Sequence, residues 1–166
     1  YAYAEKVFSK QECEQIIKLA TKQKAIDSTV TYKNKVKKDK KIRQSQTRWL
    51  APAPDFKWVF QKITGITNLL NDKYFKFDIF GAIEGLQFTS YKAPGDKYGK
   101  HVDRSLGTVV RKLSITIQLS DPKDYKGGEL CFYDSEEKQP APRDQGTFIV
   151  FPSFVQHEIL PVTKGE

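Results

Sequence analysis

"KLSITIQLS" (residues 112–120) alternates without a break: Leu113, Ile115, Ile117 and Leu119 share one side, Ser114, Thr116 and Gln118 the other. A period of two marks a β-strand with unlike faces. The polar face suits either solvent or the lining of a barrel or sandwich interior. In "LQFTSY" (86–91), Gln87, Thr89 and Tyr91 likewise share a face. "FDIF" (77–80), "ELCFYD" (129–134) and "TFIVF" (147–151) also read as strands, separated by Gly, Pro and Asp turns such as "KGGEL" (126–130). Upstream the period lengthens. "FSKQECEQIIKLA" (8–20) predicts a helix, with Ser9 and Glu12 as a capping box and Cys13, Ile16, Ile17 and Ala20 as its apolar stripe. "APAP" (51–54) excludes a helix at that point. A second helix is expected from near Asp55, with Phe56, Val59, Phe60, Ile63, Ile66 and Leu70 on one face. Helices first and strands after predict an α+β fold, the helices packed on one side of a β-sandwich.

The length of 166 residues fits one domain spanning 1–166, and 39% hydrophobic residues can supply its core. No run approaches the roughly 18 apolar residues of a membrane span, and the first residues lack a signal-peptide pattern. Cys13 and Cys131 read as core thiols of a reducing compartment, so a cytoplasmic location is expected. The net charge is +8, but "KNKVKKDKKIR" (33–43) alone carries seven basic residues and one acid. This segment is expected to be a solvated, mobile loop, or a basic lid that attracts an acidic partner. A nucleic-acid module would interleave aromatics with its basic run; only Tyr32 and Trp49 flank this one, which argues against such a partner.

The chain has two histidines. In "YGKHVDRSLG" (98–107), His101 and Asp103 are two apart, so an extended chain points both to one side. His157, in "FPSFVQHEILP" (151–161), lies 54 residues after Asp103 and follows a strand. Two histidines and one carboxylate match the facial triad of non-haem Fe(II) oxygenases. The paired-histidine helix motif of zinc hydrolases is absent, and two cysteines are too few for a thiolate site. Taken singly, each of these residues also suits an ordinary surface.

The surrounding residues add a resemblance. "LQFTSYKAPGDKYGKHVDR" (86–104), "RKLSITIQLSDPKDYKGGEL" (111–130) and "GTFIVFPSFVQHEILPVTKGE" (146–166) resemble the 2-oxoglutarate/Fe(II) dioxygenases of the prolyl 4-hydroxylase superfamily, with PKHD-type hydroxylases closest over 86–166. "IRQSQTRW" (42–49) is similar to the hypoxia-factor prolyl hydroxylases. The resemblance implies a double-stranded β-helix, or jelly roll, with supporting N-terminal helices. It implies His101, Asp103 and His157 as iron ligands, and Tyr91, Gln118 and Leu130 around 2-oxoglutarate. Arg43, Trp49, Tyr98 and Arg111 would line the substrate mouth. Fe(II), 2-oxoglutarate and O2 would be required, with ascorbate supporting activity. The implied substrate is a prolyl residue of a peptide or protein, proline-rich or acidic; another amino acid, a small molecule, or a non-enzymatic metal-binding role are the alternatives. In the family, a basic residue about ten positions after the distal histidine pairs with the remote cosubstrate carboxylate. That position falls just beyond Glu166, and Lys164, seven residues after His157, reads as poorly placed. The chain is therefore expected to lack the last strand of the family domain.

Overall fold

The computed structural model describes residues 1–166 apart from 33–34, 83, 105–109 and 135–136. β1 (Ala2–Ala4) leads into helix α1 (Lys10–Ala20). β2 (Ile26–Asp27), β3 (Val30–Tyr32), β4 (Lys35–Lys37), β5 (Arg43–Gln44) and β6 (Gln46–Leu50) precede helix α2 (Lys57–Leu70). Strands follow: β7 (Leu86–Ser90), β8 (Lys97–His101), β9 (Leu113–Ile117), β10 (Lys126–Gly127), β11 (Leu130–Asp134), β12 (Glu137–Pro140), β13 (Phe148–Pro152), β14 (His157–Ile159) and β15 (Val162–Lys164).

The helices form for the reasons their sequences give. The Ser9 hydroxyl accepts from the Glu12 N–H at 3.2 Å, and the Glu12 carboxylate accepts from the Ser9 N–H at 2.7 Å. Two otherwise orphaned donors are thereby satisfied. Cys13, Ile16 and Ala20 are buried. Before α2, Pro54 opens a 3₁₀ turn over Pro54–Phe56 that runs straight into the helix. A proline at a first helical position removes no needed donor, so "APAP" abuts this helical segment and its last proline begins it. Val59, Ile63 and Leu70 then face inward.

Two expectations need correction. "FDIF" is not a strand. The Asn71 side chain donates to the Phe77 carbonyl at 2.8 Å and accepts from its N–H at 3.0 Å. This amide meets the backbone needs that a neighbouring strand would otherwise meet. The basic segment is not simply a loop: Lys35–Lys37 pairs with Val30–Tyr32, and Arg43 and Gln44 pair with β8; residues 33–34 lie outside the described residues. Ile115 is 37% exposed, because β9 has a strand partner, β13, on one side alone among the described strands.

Among the described residues, all strand pairs are antiparallel. A five-stranded sheet has the order β12-β11-β14-β8-β5; three-stranded sheets run β1-β13-β9 and β2-β6-β7. β13 is buried on both faces. Phe148 and Val150 pack with Phe8, Cys13, Ile16, Val59 and Ile63 under the helices. Ile149 and Phe151 pack with Leu130 and Phe132 of β11 between the sheets. Directly opposed residues share a sheet face. Ser114 opposes Phe151 and Thr116 opposes Ile149, so the polar face of β9 lines the space between the sheets rather than solvent. Cys13 and Cys131 are buried free thiols. Among the described residues, no helix is long and apolar enough to cross a membrane.

Candidate metal centre

β14 sits beside β8 with His157 opposite His101 and Ile159 opposite Tyr98. Two steps on β14 therefore match three on β8, a bulge around Gly99 and Lys100. The bulge reverses the alternation, and the Tyr98 ring comes to lie on the His101 ring, with centroids 3.5 Å apart and planes 16° apart. Gly99 holds the bulge in place: its N–H donates to the Ile42 carbonyl at 2.8 Å. The two histidine rings lie 4.2 Å apart, and Phe151 meets His157 edge-on at 4.7 Å.

Asp103 lies beyond the end of β8 and is fixed by its backbone. The N–H groups of Asp103 and Arg104 both donate to the Ser153 carbonyl at 2.9 Å, and the Ser153 N–H donates to the Lys112 carbonyl at 2.9 Å. The Ser153 hydroxyl donates to the Arg111 carbonyl. Arg111 closes the loop, with Nη1 on the Asp103 carbonyl at 3.2 Å and Nη2 on the Glu84 carboxylate.

Each histidine presents Nδ1 to a main-chain carbonyl: His101 to Gly99 at 2.7 Å, His157 to Val155 at 3.0 Å. A carbonyl only accepts, so Nδ1 carries the proton and Nε2 the lone pair. Both Nε2 atoms turn to Asp103, at 3.6 Å and 3.7 Å, too far for hydrogen bonds. The three ligand atoms all lie within 4.8 Å of one another. Burial, then the neighbouring His157, lowers the His101 pKa to about 4, so it is neutral at pH 7. Two imidazole lone pairs and a carboxylate converging on one point suit a divalent cation, and the carbonyl contacts are the outer partners that orient metal-binding histidines.

The other sequence-predicted residues fall in several places. The Arg43 guanidinium covers the Tyr98 ring, its carbon 4.5 Å from the centroid, and donates to Ser45 Oγ at 3.3 Å and Gln87 Oε1 at 2.7 Å. Tyr91 lies beside Arg43 and Ser45, and burial pushes its hydroxyl pKa up. Trp49 is 47% exposed and opposes Gln87. Gln118 is half-buried, its backbone joined to Thr147 and Gly146. Leu130 is buried between the sheets. Arg111 braces the Asp103 loop. Lys164 is exposed and opposes Lys126. Ser45, Gln87, Gly99 and Ser153 also build the site but were not singled out as site residues; their roles are positional, and no local pattern marks them.

Residues 86–166 match the model of the 2OG-Fe(II) oxygenase superfamily. A PKHD-type hydroxylase of Gloeothece citriformis is 28% identical over 171 residues, covering 96% of this chain and 70% of the relative. One from Nitrosomonas europaea is 35% identical over 86 residues, and the match covers 48% of this chain and 38% of that protein's length. Among solved structures, a prolyl hydroxylase from Trichoplax adhaerens, in complex with a hypoxia inducible factor oxygen degradation domain peptide fragment, has a TM-score of 0.78 at 16% identity, covering 98% of this chain and 78% of that one. A Pseudomonas putida prolyl-4-hydroxylase has a TM-score of 0.68 at 20% identity, covering 99% and 86%. At these identities the structural likeness speaks for the fold.

Proposed function

We propose that this chain, whose residues 86–166 match the model of the 2OG-Fe(II) oxygenase superfamily, is the catalytic domain of an Fe(II)- and 2-oxoglutarate-dependent dioxygenase that hydroxylates prolyl residues in a peptide or protein. The observation that carries this reading is the pair of Nδ1-anchored histidines aimed at Asp103. His101, Asp103 and His157 would hold Fe(II). With 2-oxoglutarate and O2, the metal supplies the oxidising power needed to hydroxylate an unactivated C–H bond.

The chain's own residues bind, orient and exclude water. Gly99 and Val155 keep the imidazole tautomers that leave Nε2 free. Phe151 and Phe132 wall the His157 side against solvent. In this reading Tyr91 and Gln118 hydrogen-bond 2-oxoglutarate, and Leu130 lines its pocket. Trp49, Tyr98, Arg43 and Arg111 form the substrate side; the exposure of Trp49 suits a contact residue, whereas Arg111 acts through the loop that carries Asp103. Two facing sheets under a helical layer are what a double-stranded β-helix requires. In this reading ascorbate would keep the iron reduced. The two buried free thiols suit a reducing, cytoplasmic setting.

Succinate release from 2-oxoglutarate under Fe(II), with mass shifts of +16 across a panel of proline-containing peptides, tests the proposal. Metal binding without succinate release would make this a non-enzymatic metal protein. Succinate release with hydroxylation of other residues or small molecules would remove the prolyl assignment.

A further inference from the structure

We infer that Arg43 is a carboxylate-binding subsite beside the metal centre. The inference deepens the oxygenase reading above and rests on it. Arg43 lies on β5 opposite Tyr98, half-buried. Its guanidinium stacks on Tyr98, which stacks on His101, so a fixed positive charge stands one ring away from a ligand imidazole.

The partners of that charge are all neutral. Nε donates to Ser45 Oγ at 3.3 Å, Nη2 to Gln87 Oε1 at 2.7 Å, and Nη1 reaches the Thr29 carbonyl at 3.5 Å. Among the described residues no carboxylate pairs with it. Of the other half-buried arginines, Arg111 pairs with Glu84 and Arg143 with Glu129 at 3.2 Å, whereas Arg48 donates to the Gln23 carbonyl and covers the Phe88 ring. Neutral acceptors and a π-face orient a guanidinium without cancelling its charge. A guanidinium has five N–H donors; three serve these bonds, and the Tyr91 and Tyr98 hydroxyls beside it are neutral too, so a carboxylate would be its first charged partner among the described residues. Ser45 and Gln87 hold the fork in place, which reduces the ordering cost of binding an anion. Lys164, the basic residue nearest the chain's end, lies exposed against Lys126 instead.

The carboxylate has two possible sources: 2-oxoglutarate itself, or an acidic residue close to the hydroxylated position of the substrate. The test uses the full chain loaded with Mn(II) under anaerobic conditions, as the native protein, Arg43→Gln and Arg43→Lys. One arm is calorimetry with 2-oxoglutarate. The other is fluorescence anisotropy with proline-containing peptides in matched pairs, Asp or Asn at each flanking position. Arg43→Gln is expected to weaken one of these carboxylate ligands by about tenfold to a hundredfold, with partial recovery in Arg43→Lys. Loss in the first arm assigns the subsite to the cosubstrate. Loss of the Asp-over-Asn preference in the second assigns it to the substrate. The inference is overturned if Arg43→Gln changes neither 2-oxoglutarate affinity nor the Asp-to-Asn ratio. It is equally overturned if the variant loses Mn(II) affinity by the same factor, since Arg43 would then only position His101 through Tyr98. Both arms read binding, so failure of the oxygenase reading shows separately, as absent succinate from the native chain under Fe(II).

Discussion

Replacing Asp103 by asparagine should move stability in opposite directions with and without metal. Asp103 sets its oxygens 3.6 Å and 3.7 Å from two imidazole Nε2 atoms that carry lone pairs. Among the described residues no side chain donates to it there, and the carboxylate gains little. Asparagine has the same shape and offers an N–H to either lone pair. The metal-free variant is therefore expected to unfold at or slightly above the native temperature, within about 0.5 kcal/mol. Metal reverses the comparison. At a metal concentration of one hundred times Kd, the native chain gains about 2.7 kcal/mol by mass action. For a chain of this size that is a rise of roughly 5–11 °C in Tm. Two neutral imidazoles and an amide bind far more weakly, so the variant should rise by less than about 2 °C at the same concentration. Thermal unfolding across a Mn(II) titration reads both effects. An equal metal-induced shift in the two proteins would remove Asp103 from the ligand set. A metal-free variant melting well below native would make Asp103 a structural residue instead.

Arg111→Gln should loosen the Asp103 loop, which Arg111 ties to Glu84, and weaken Mn(II) binding by roughly tenfold to a hundredfold, read by calorimetry; unchanged affinity would show that Ser153 alone sets the loop. Gly146→Ala should destabilise by about 3 kcal/mol or more, because a Cβ there would lie 1.9 Å from the Phe8 carbonyl oxygen and φ is +84°; denaturant unfolding checks it, and a loss below about 1 kcal/mol would show that the turn shifts easily. Glu12 is held below its ordinary pKa of 4.5 by Lys62 and then by the Ser9 N–H. A depressed carboxylate contributes stability above its unfolded pKa and loses it as pH falls through the folded one. Glu12→Gln should therefore reduce the loss of stability below about pH 4.5, by less than about 1 kcal/mol for so exposed a pair; identical acid unfolding curves would discount the contact.

Features set by near neighbours in the chain were legible in the sequence. The Ser9–Glu12 capping box and the stripe of Cys13, Ile16 and Ala20 set α1 within a dozen residues, because capping and helical period are interactions between near neighbours in the chain. The strict alternation of "KLSITIQLS" and the apolar "TFIVF" likewise placed β9 and β13. His101, Asp103 and His157 were legible as a triad by residue type and by resemblance, and the structure brings the three together.

Other features depend on partners far along the chain. β5, β10 and β14 have two or three residues each, too short for any period to show; they exist because β8, β11 and β15 pair with them. Whether the polar face of β9 met solvent or the interior was open in the sequence and was decided by its register with β13. "FDIF" has the composition of a strand, but the Asn71 amide takes up its first backbone groups. The stack of Arg43, Tyr98 and His101 follows from a one-residue bulge and from the pairing of β5 with β8. The sequence by itself determined the two helices, the longer strands such as β9 and β13, and which side chains could bind a metal, since those follow from local period and residue chemistry. Tertiary structure alone decided the register, the bulge and the neighbours of each charge, because these depend on contacts between segments tens of residues apart.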